Sequence, residues 1–364
     1  MDLKQKIKNL PSCPGVYLMK DSLGTIIYVG KSKNLKNRVG SYFQKSRSHS
    51  PKVIKLVQNL KDFDYITTDT EFEAFLLECK LIKEYKPRYN SLMKNPLTYT
   101  YLKISKKDNF TDMEVTREVD NRQEALYFGP YTSTSSSTVE RAIEGIKVCY
   151  KLLCSNSNKK SSSPCLNYSL DLCIGLCIRD EAWEKYSEII AKLVAMLTGS
   201  DRSILNDMKE KMNTASENFD FETAASYRDY IKAVTYLIGQ NQVAEYTKEN
   251  KKIIIAEALD EDLVKVFLVR GNKVLYSESY KLKDYSIDQL ICQLKGLISV
   301  HFSKGSQDLD IIAAEDMDEG QIIYSYLKKE SKDRKHLVLS DKSLNKASLD
   351  KELRDLINKL LKIS

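Results

Sequence analysis

The chain has 364 residues, 42% of them hydrophobic and 29% charged, with no apolar run near the ~20 residues that cross a bilayer. Domains hold roughly 100 to 200 residues, so this length excludes one ordinary core and predicts several modules. The net charge of +7 sits at the front: residues 1–95 hold 18 Lys and Arg against 9 Asp and Glu, a bias that suits a polyanion whose neutralised phosphates release counterions. The opening MDLKQKIKNLPSC lacks the apolar core of a signal peptide. A cytoplasmic protein with no membrane partner is expected, its eight cysteines serving as thiols or metal ligands rather than disulfides.

In chain order, Gly15-Val-Tyr-Leu-Met and Thr25-Ile-Ile-Tyr-Val are short β-branched and aromatic runs around a turn at residues 20–24, which predicts a hairpin. Residues 34–43 and 51–60 predict helices and 63–68 a third strand. Residues 71–85 predict a helix with Phe72, Phe75, Leu76, Leu81 and Ile82 on an apolar face, ended by Pro87. Runs from Thr98 and Met113 predict strands leading to Tyr127-Phe-Gly-Pro-Tyr131, and residues 133–137 a polar loop. A helix over 181–198 stops at Gly199. From Ser203 follow a helix, a tight turn and a second helix, with Met208, Met212 and Ala215 recurring on one and Phe221, Ala224, Tyr227, Arg228 and Ile231 on the other. The last third predicts a hairpin around Arg270-Gly-Asn-Lys, helices over 286–302, 319–328 and 347–361, and strands over 309–314 and 336–339.

A Gly-Val-Tyr strand paired with a Tyr-Val-Gly strand brings Tyr17 and Tyr28 to one face of a small sheet, with Lys31 next in line and Gly15 and Gly30 letting the backbone approach a ligand. Followed by Arg38, Tyr42, and Glu78 and Asn90 in EAFLLECKLIKEYKPRYN, this arrangement resembles the GIY-YIG nuclease domain. More narrowly, PGVY, YVGKSKNLKNRV, SYF, EAFLLE, LIK and PRYN are similar to the N-terminal domain of the UvrC family, incision subunits of bacterial nucleotide excision repair. The resemblance implies phosphodiester hydrolysis with Tyr17, Tyr28, Lys31, Arg38, Tyr42, Glu78 and Asn90 as catalytic residues. One carboxylate, Glu78, suffices for a hard Mg²⁺ or Mn²⁺ that keeps most of its waters. Arg38 meets transition-state charge with its planar fork and Lys31 adds a point charge. Asn90 is expected to tether Glu78 or the loop beside it. A tyrosine is a base only if its phenol falls from ~10. Metal-bound water, Lys31 and Arg38 are expected to lower it, and Tyr28, nearest Lys31 in sequence, is the favoured base.

Cys154, Cys165, Cys173 and Cys177 lie in LCSNSNKKSSSPCLNYSLDLCIGLC and supply a complete Cys₄ shell for zinc or an iron–sulfur cluster. The spacing does not choose between them, and Cys149 is a spare thiol nearby. The resemblance implies a [4Fe–4S] cluster, although Gly175-Leu176 stands where the family has Gly-Pro. The helical hairpin resembles the UVR motif, which pairs with a like hairpin of UvrB. Phe219 and Phe221 at its turn are the implied contacts.

The fold expected is α/β (α+β) and multidomain: a GIY-YIG nuclease domain with a small mixed sheet and flanking helices (1–95), linker strands and a Cys-rich helical middle (96–180), a helical region with the UVR hairpin (181–245, hairpin 203–238), and a small α/β domain (246–364). That last unit looks like a diverged version of the segment leading into the ribonuclease-H-like domain of UvrC, and the resemblance implies a short form without that domain and the helix-hairpin-helix repeats, comparable to Cho, although the UVR-like hairpin departs from that comparison. The implied activity is the 3′ incision beside a lesion in damaged double-stranded DNA, with UvrB as direct partner and UvrA as an indirect one. The rival readings are a non-catalytic UvrB- or DNA-binding adaptor and a GIY-YIG endonuclease outside excision repair.

Overall fold

The computed structural model describes residues 3–44, 50–90, 99–107, 110–120, 125–131, 136–154, 163–302, 314–340 and 346–361. The fold is mixed α/β, and the chain divides into two units, residues 1–96 with 246–364, and residues 97–245. The 1–96 segment runs α1 (Leu3–Lys8), β1 (Gly15–Lys20), β2 (Ile26–Ser32), α2 (Leu35–Ser41), α3 (Pro51–Asn59), β3 (Asp62–Thr67) and α4 (Glu71–Tyr85). Its sheet has the order β2-β1-β3. Both ladders are antiparallel, so the sheet is not mixed as expected. One face carries Tyr17, Met19 and Phe63 against α2 and α3; the other carries Val16, Leu18 and Val29 against Ala74, Leu81 and Ile82 of α4.

The second unit begins with β4 (Thr100–Lys107), β5 (Phe110–Thr116) and β6 (Ala125–Tyr131), an antiparallel sheet of order β5-β4-β6. Next come α5 (Ser136–Cys149), the single turn α6 (Leu166–Ser169), α7 (Glu181–Leu197), α8 (Ser203–Glu217) and α9 (Phe221–Lys248), which runs through the boundary between the units. The expected polar loop at 133–137 lies largely outside the described residues, and from Ser136 the chain is already helical. Val139, Ala142, Ile143 and Ile146 line the buried face of α5.

The chain then forms β7 (Lys252–Ala258), β8 (Leu263–Arg270) and β9 (Lys273–Lys281), followed by α10 (Ile287–Phe302), α11 (Ala314–Lys328), β10 (Arg334–Leu339) and α12 (Lys346–Leu361). The sheet is antiparallel with order β10-β7-β8-β9. The expected strand at 309–314 lies almost wholly outside the described residues. Strands β7 and β8 are covered on both faces, so their apolar residues run nearly without interruption. Ile254, Ala256, Val264, Val266 and Leu268 face α10 and α12, whereas Ile253, Ile255, Phe267 and Val269 face α11 and α4.

Helix α4 therefore has two partners. Ala74, Leu81 and Ile82 pack on the N-terminal sheet, while Phe72 and Cys79 enter the core of the C-terminal one. Its start is fixed by a capping box between Thr70 and Glu73, and its end by Lys86 in the left-handed conformation at φ 45°, just before Pro87. Among the described residues no helix is long and apolar enough to cross a membrane.

Candidate active site

Three tyrosines converge on one face of the N-terminal sheet. The register sets Tyr17 opposite Gly30 and Met19 opposite Tyr28, so Tyr17 and Tyr28 are diagonal neighbours. Tyr42 reaches them from the carboxyl end of α2. Ring centroids are 6.1 Å apart for Tyr17 and Tyr28, 5.9 Å for Tyr17 and Tyr42, and 6.5 Å for Tyr28 and Tyr42. The hydroxyls of Tyr17 and Tyr42 are hydrogen-bonded at 2.9 Å. Arg38, one turn before Tyr42, holds its guanidinium 5.4 Å from that ring.

The missing side chain of Gly30 makes room for this cluster. A Cβ there would stand 2.4 Å from Tyr17 Oη and 2.8 Å from Tyr28 Cε1. A Cβ on Gly15 would meet Ile66 O at 2.4 Å and Leu35 Cδ1 at 2.8 Å. Both close approaches expected of the backbone are thus to neighbouring protein atoms.

Glu78, on α4, accepts from the backbone N–H of Lys31 at 3.1 Å and pairs through its other oxygen with Lys31 Nζ at 3.1 Å. The Glu78 side chain is only 12% exposed. Lys31 Nζ also sits 3.9 Å from the centroid of the Phe75 ring. Asn90 does not reach Glu78. Its side chain accepts from Val29 N at 3.0 Å and donates to Val29 O at 2.8 Å, and Tyr89 N donates to Ile27 O at 2.9 Å. The amide mimics a neighbouring strand and ties residues 89–90 to β2.

Tyr17 and Tyr28 are pushed in the direction opposite to the one expected from Lys31 and Arg38. Burial raises Tyr28 above its ordinary range, helped by Tyr42 and the charge of Glu78, and Arg38 opposes this only weakly. Tyr17 is raised for the same main reason, with Tyr42 and Tyr28 adding to it. The Lys31 ammonium is engaged with Glu78 instead. A single carboxylate beside this tyrosine cluster fits a hard divalent cation that retains most of its waters.

In the second unit, Cys165, Cys173 and Cys177 form a small buried cluster against which Cys154 packs. The sulfurs of Cys154, Cys165 and Cys177 lie within 4.8 Å of one another. Cys173 Sγ accepts from Gly175 N at 3.3 Å, and Cys173 bridges to Leu152. Three thiols this close together fit a thiophilic metal, and Cys173 Sγ lies outside that group. Cys149 belongs to the main core of the unit, where burial raises its thiol. None of the eight cysteines is disulfide-bonded.

The hairpin of α8 and α9 is partly built into its own unit. Ile204, Leu205, Met208, Tyr227, Val234 and Leu237 join the core, whereas Phe219 and Phe221 at the tip are 80% and 65% exposed with their rings 6.2 Å apart. Phe219 adopts a positive φ of 61°, the left-handed turn that reverses the chain.

Three family models match the chain: the UvrC-like GIY-YIG domain over residues 13–91, the middle domain of the UvrC/Cho excinuclease over 99–196, and the UvrB/UvrC motif over 202–235. The UvrABC system protein C of Clostridium novyi (strain NT) is 42% identical over 286 residues, 77% of this chain and 46% of that protein. That of Clostridioides difficile (strain 630) is 33% identical over 371 residues, all of this chain and 61% of the relative. The chain thus spans about half the length of the curated relatives it matches. A crystal structure of the GIY-YIG N-terminal endonuclease domain of UvrC from Thermotoga maritima, bound to magnesium, is 39% identical; it covers 24% of this chain and 96% of its own, with a TM-score of 0.23.

Proposed function

The chain belongs to the UvrC family, and from that premise we propose that it is a metal-dependent DNA endonuclease of nucleotide excision repair that makes the 3′ incision beside a lesion held by UvrB. The observation that carries this reading is the convergence of Tyr17, Tyr28, Arg38 and Tyr42 beside the Lys31–Glu78 pair at the end of β2. The strongly basic 1–95 segment supplies affinity for the duplex, and the exposed Phe219 and Phe221 are the surface offered to UvrB, with UvrA acting upstream.

Glu78 would hold a Mg²⁺ or Mn²⁺ ion, which when bound supplies Lewis-acid polarisation of a phosphate oxygen. Arg38 meets the charge that builds on the phosphorus oxygens, already fixed against the Tyr42 ring and so needing little reorganisation. Tyr28, in its ionised phenolate form, would accept the proton of the attacking water. Tyr17 and Tyr42 hold each other and keep the cluster rigid. Asn90 fixes β2 through Val29 and thereby the strand that carries Tyr28, Gly30 and Lys31. The four cysteines are proposed to hold a [4Fe–4S] cluster, zinc being the alternative, in a protein of the cytoplasm.

The test is a duplex with one bulky lesion, labelled at each end in turn, incubated with UvrA, UvrB, ATP and Mg²⁺. The chain should leave one nick, 3′ of the lesion, that requires UvrB. Glu78→Ala should remove it, by about a thousandfold or more, while the chain stays folded. UvrB binding without any nick would establish the adaptor reading instead. Iron and acid-labile sulfide in anaerobically purified protein would separate a cluster from stoichiometric zinc.

A further inference from the structure

Lys31 is held at two points, and one helix supplies both. Phe75 and Glu78 are three residues apart on α4 and so share a face. The ring receives the Lys31 ammonium at 3.9 Å and the carboxylate receives it at 3.1 Å. An ammonium on a four-carbon stem has many rotamers, and a lone carboxylate contact leaves most of them open. A ring face adds a directional attraction that fixes where the charge stands.

The ring itself is placed from elsewhere. Phe75 packs on the cluster formed by Phe72, Cys79, Ile253, Ile255 and Phe267, in which the four-stranded C-terminal sheet meets α4. Phe72, one turn earlier, stacks on Tyr326 at 4.1 Å and meets Phe267 edge-on at 5.2 Å. Lys265 of β8, 7% exposed, binds Asp69 at 2.7 Å and Glu73 at 2.8 Å, on either side of the helix cap. The azimuth of α4 about its axis is thus set by the C-terminal sheet as well as by the N-terminal one.

We propose that Phe75 is a positioning residue of the nuclease site: seated on the core of the 246–364 sheet, its ring holds the Lys31 ammonium against Glu78, so that this sheet sets the charge arrangement at the cleavage centre. The proposal rests on the nuclease reading above for its effect on rate, though not for the placement of Lys31.

Phe75→Leu keeps the apolar contact and removes the ring face. Single-turnover cleavage by the full chain with UvrB on lesion DNA should slow about three- to tenfold, with DNA affinity and melting temperature unchanged, and Phe75→Tyr should restore it. In a Lys31→Met background Phe75→Leu should cost nothing more, because the two residues act as one unit. Independently, the chain is reductively methylated with ¹³C, the Lys31 signal being identified by its loss in Lys31→Arg. Ring current should shift that signal upfield in wild type and in Phe75→Tyr, and the shift should vanish in Phe75→Leu. An unshifted Lys31 signal, or an equal rate loss in the Lys31→Met background, overturns the proposal. An upfield signal in a chain that cuts nothing overturns the nuclease reading and upholds the Phe75–Lys31–Glu78 arrangement.

Discussion

At Gly30 a single missing Cβ decides whether the tyrosine cluster can exist. The nearest atom that a methyl group would strike, Tyr17 Oη at 2.4 Å, belongs to a ring that is 1% exposed and already bonded to Tyr42. Gly30→Ala should therefore lower stability by about 1 to 3 kcal/mol, read as a shifted denaturation midpoint, and should weaken cleavage in parallel. A midpoint equal to wild type would show that the ring moves aside freely. Tyr28 poses a different problem, since burial keeps its phenol protonated well past neutrality. If Tyr28 is the proton acceptor, the ionised fraction grows about tenfold per pH unit below its pKa, and cleavage should climb from pH 7 to about pH 9 without levelling. A plateau near neutrality would assign the proton to another group.

At the scale of elements, the hairpin of α8 and α9 divides its labour along its length. Its stem contributes Met208, Val234 and Leu237 to the core of the unit, and its tip leaves two phenylalanines in water. Phe219→Ala and Phe221→Ala should accordingly leave the melting temperature within error and weaken UvrB binding by roughly tenfold or more each, as central aromatic contacts do. Equal binding by both variants would move the interface away from the tip. The apolar spacing in this stretch told correctly where the helices run but not that the stem already has a partner within the chain. Helix α5 was missed although Val139, Ala142, Ile143 and Ile146 follow a helical period, because the preceding serines read as a loop. Strand β7 was missed because Ile253, Ile254, Ile255 and Ala256 form one apolar run, which has no alternation when both faces are covered.

For the first unit as a whole, residues 1–96 and 246–364 are joined through α4. The Lys265–Asp69 pair at its cap makes that union sensitive to acid. Lys265 holds Asp69 below the usual carboxylate range, with Ser279 adding a second hydrogen bond. A carboxylate depressed in the folded state adds stability that is complete above its unfolded value near 3.9 and is lost as pH falls through the folded value. Wild type should thus lose this contribution below about pH 4, and Lys265→Met should lose less on acidification from a lower starting point. Parallel curves for the two proteins would remove Asp69 from the account.

The sequence by itself determined which polar and sulfur-bearing groups stand close together along the chain. Tyr17, Tyr28, Arg38, Tyr42, Glu78 and the cysteine run stand in short stretches whose residue types and spacing carry their meaning, and the hairpin register follows from strand period and turn. The tertiary structure decided what each group touches. Asn90 faces Val29 and not Glu78, Lys31 is taken up by Glu78 and Phe75 rather than by a phenol, and burial raises Tyr28, which neighbouring charge was expected to lower. The two sheets that share α4 lie more than 150 residues apart in the chain, so no local pattern could pair them. Hydrophobic burial of both faces of one amphipathic helix made that choice, and desolvation followed from it.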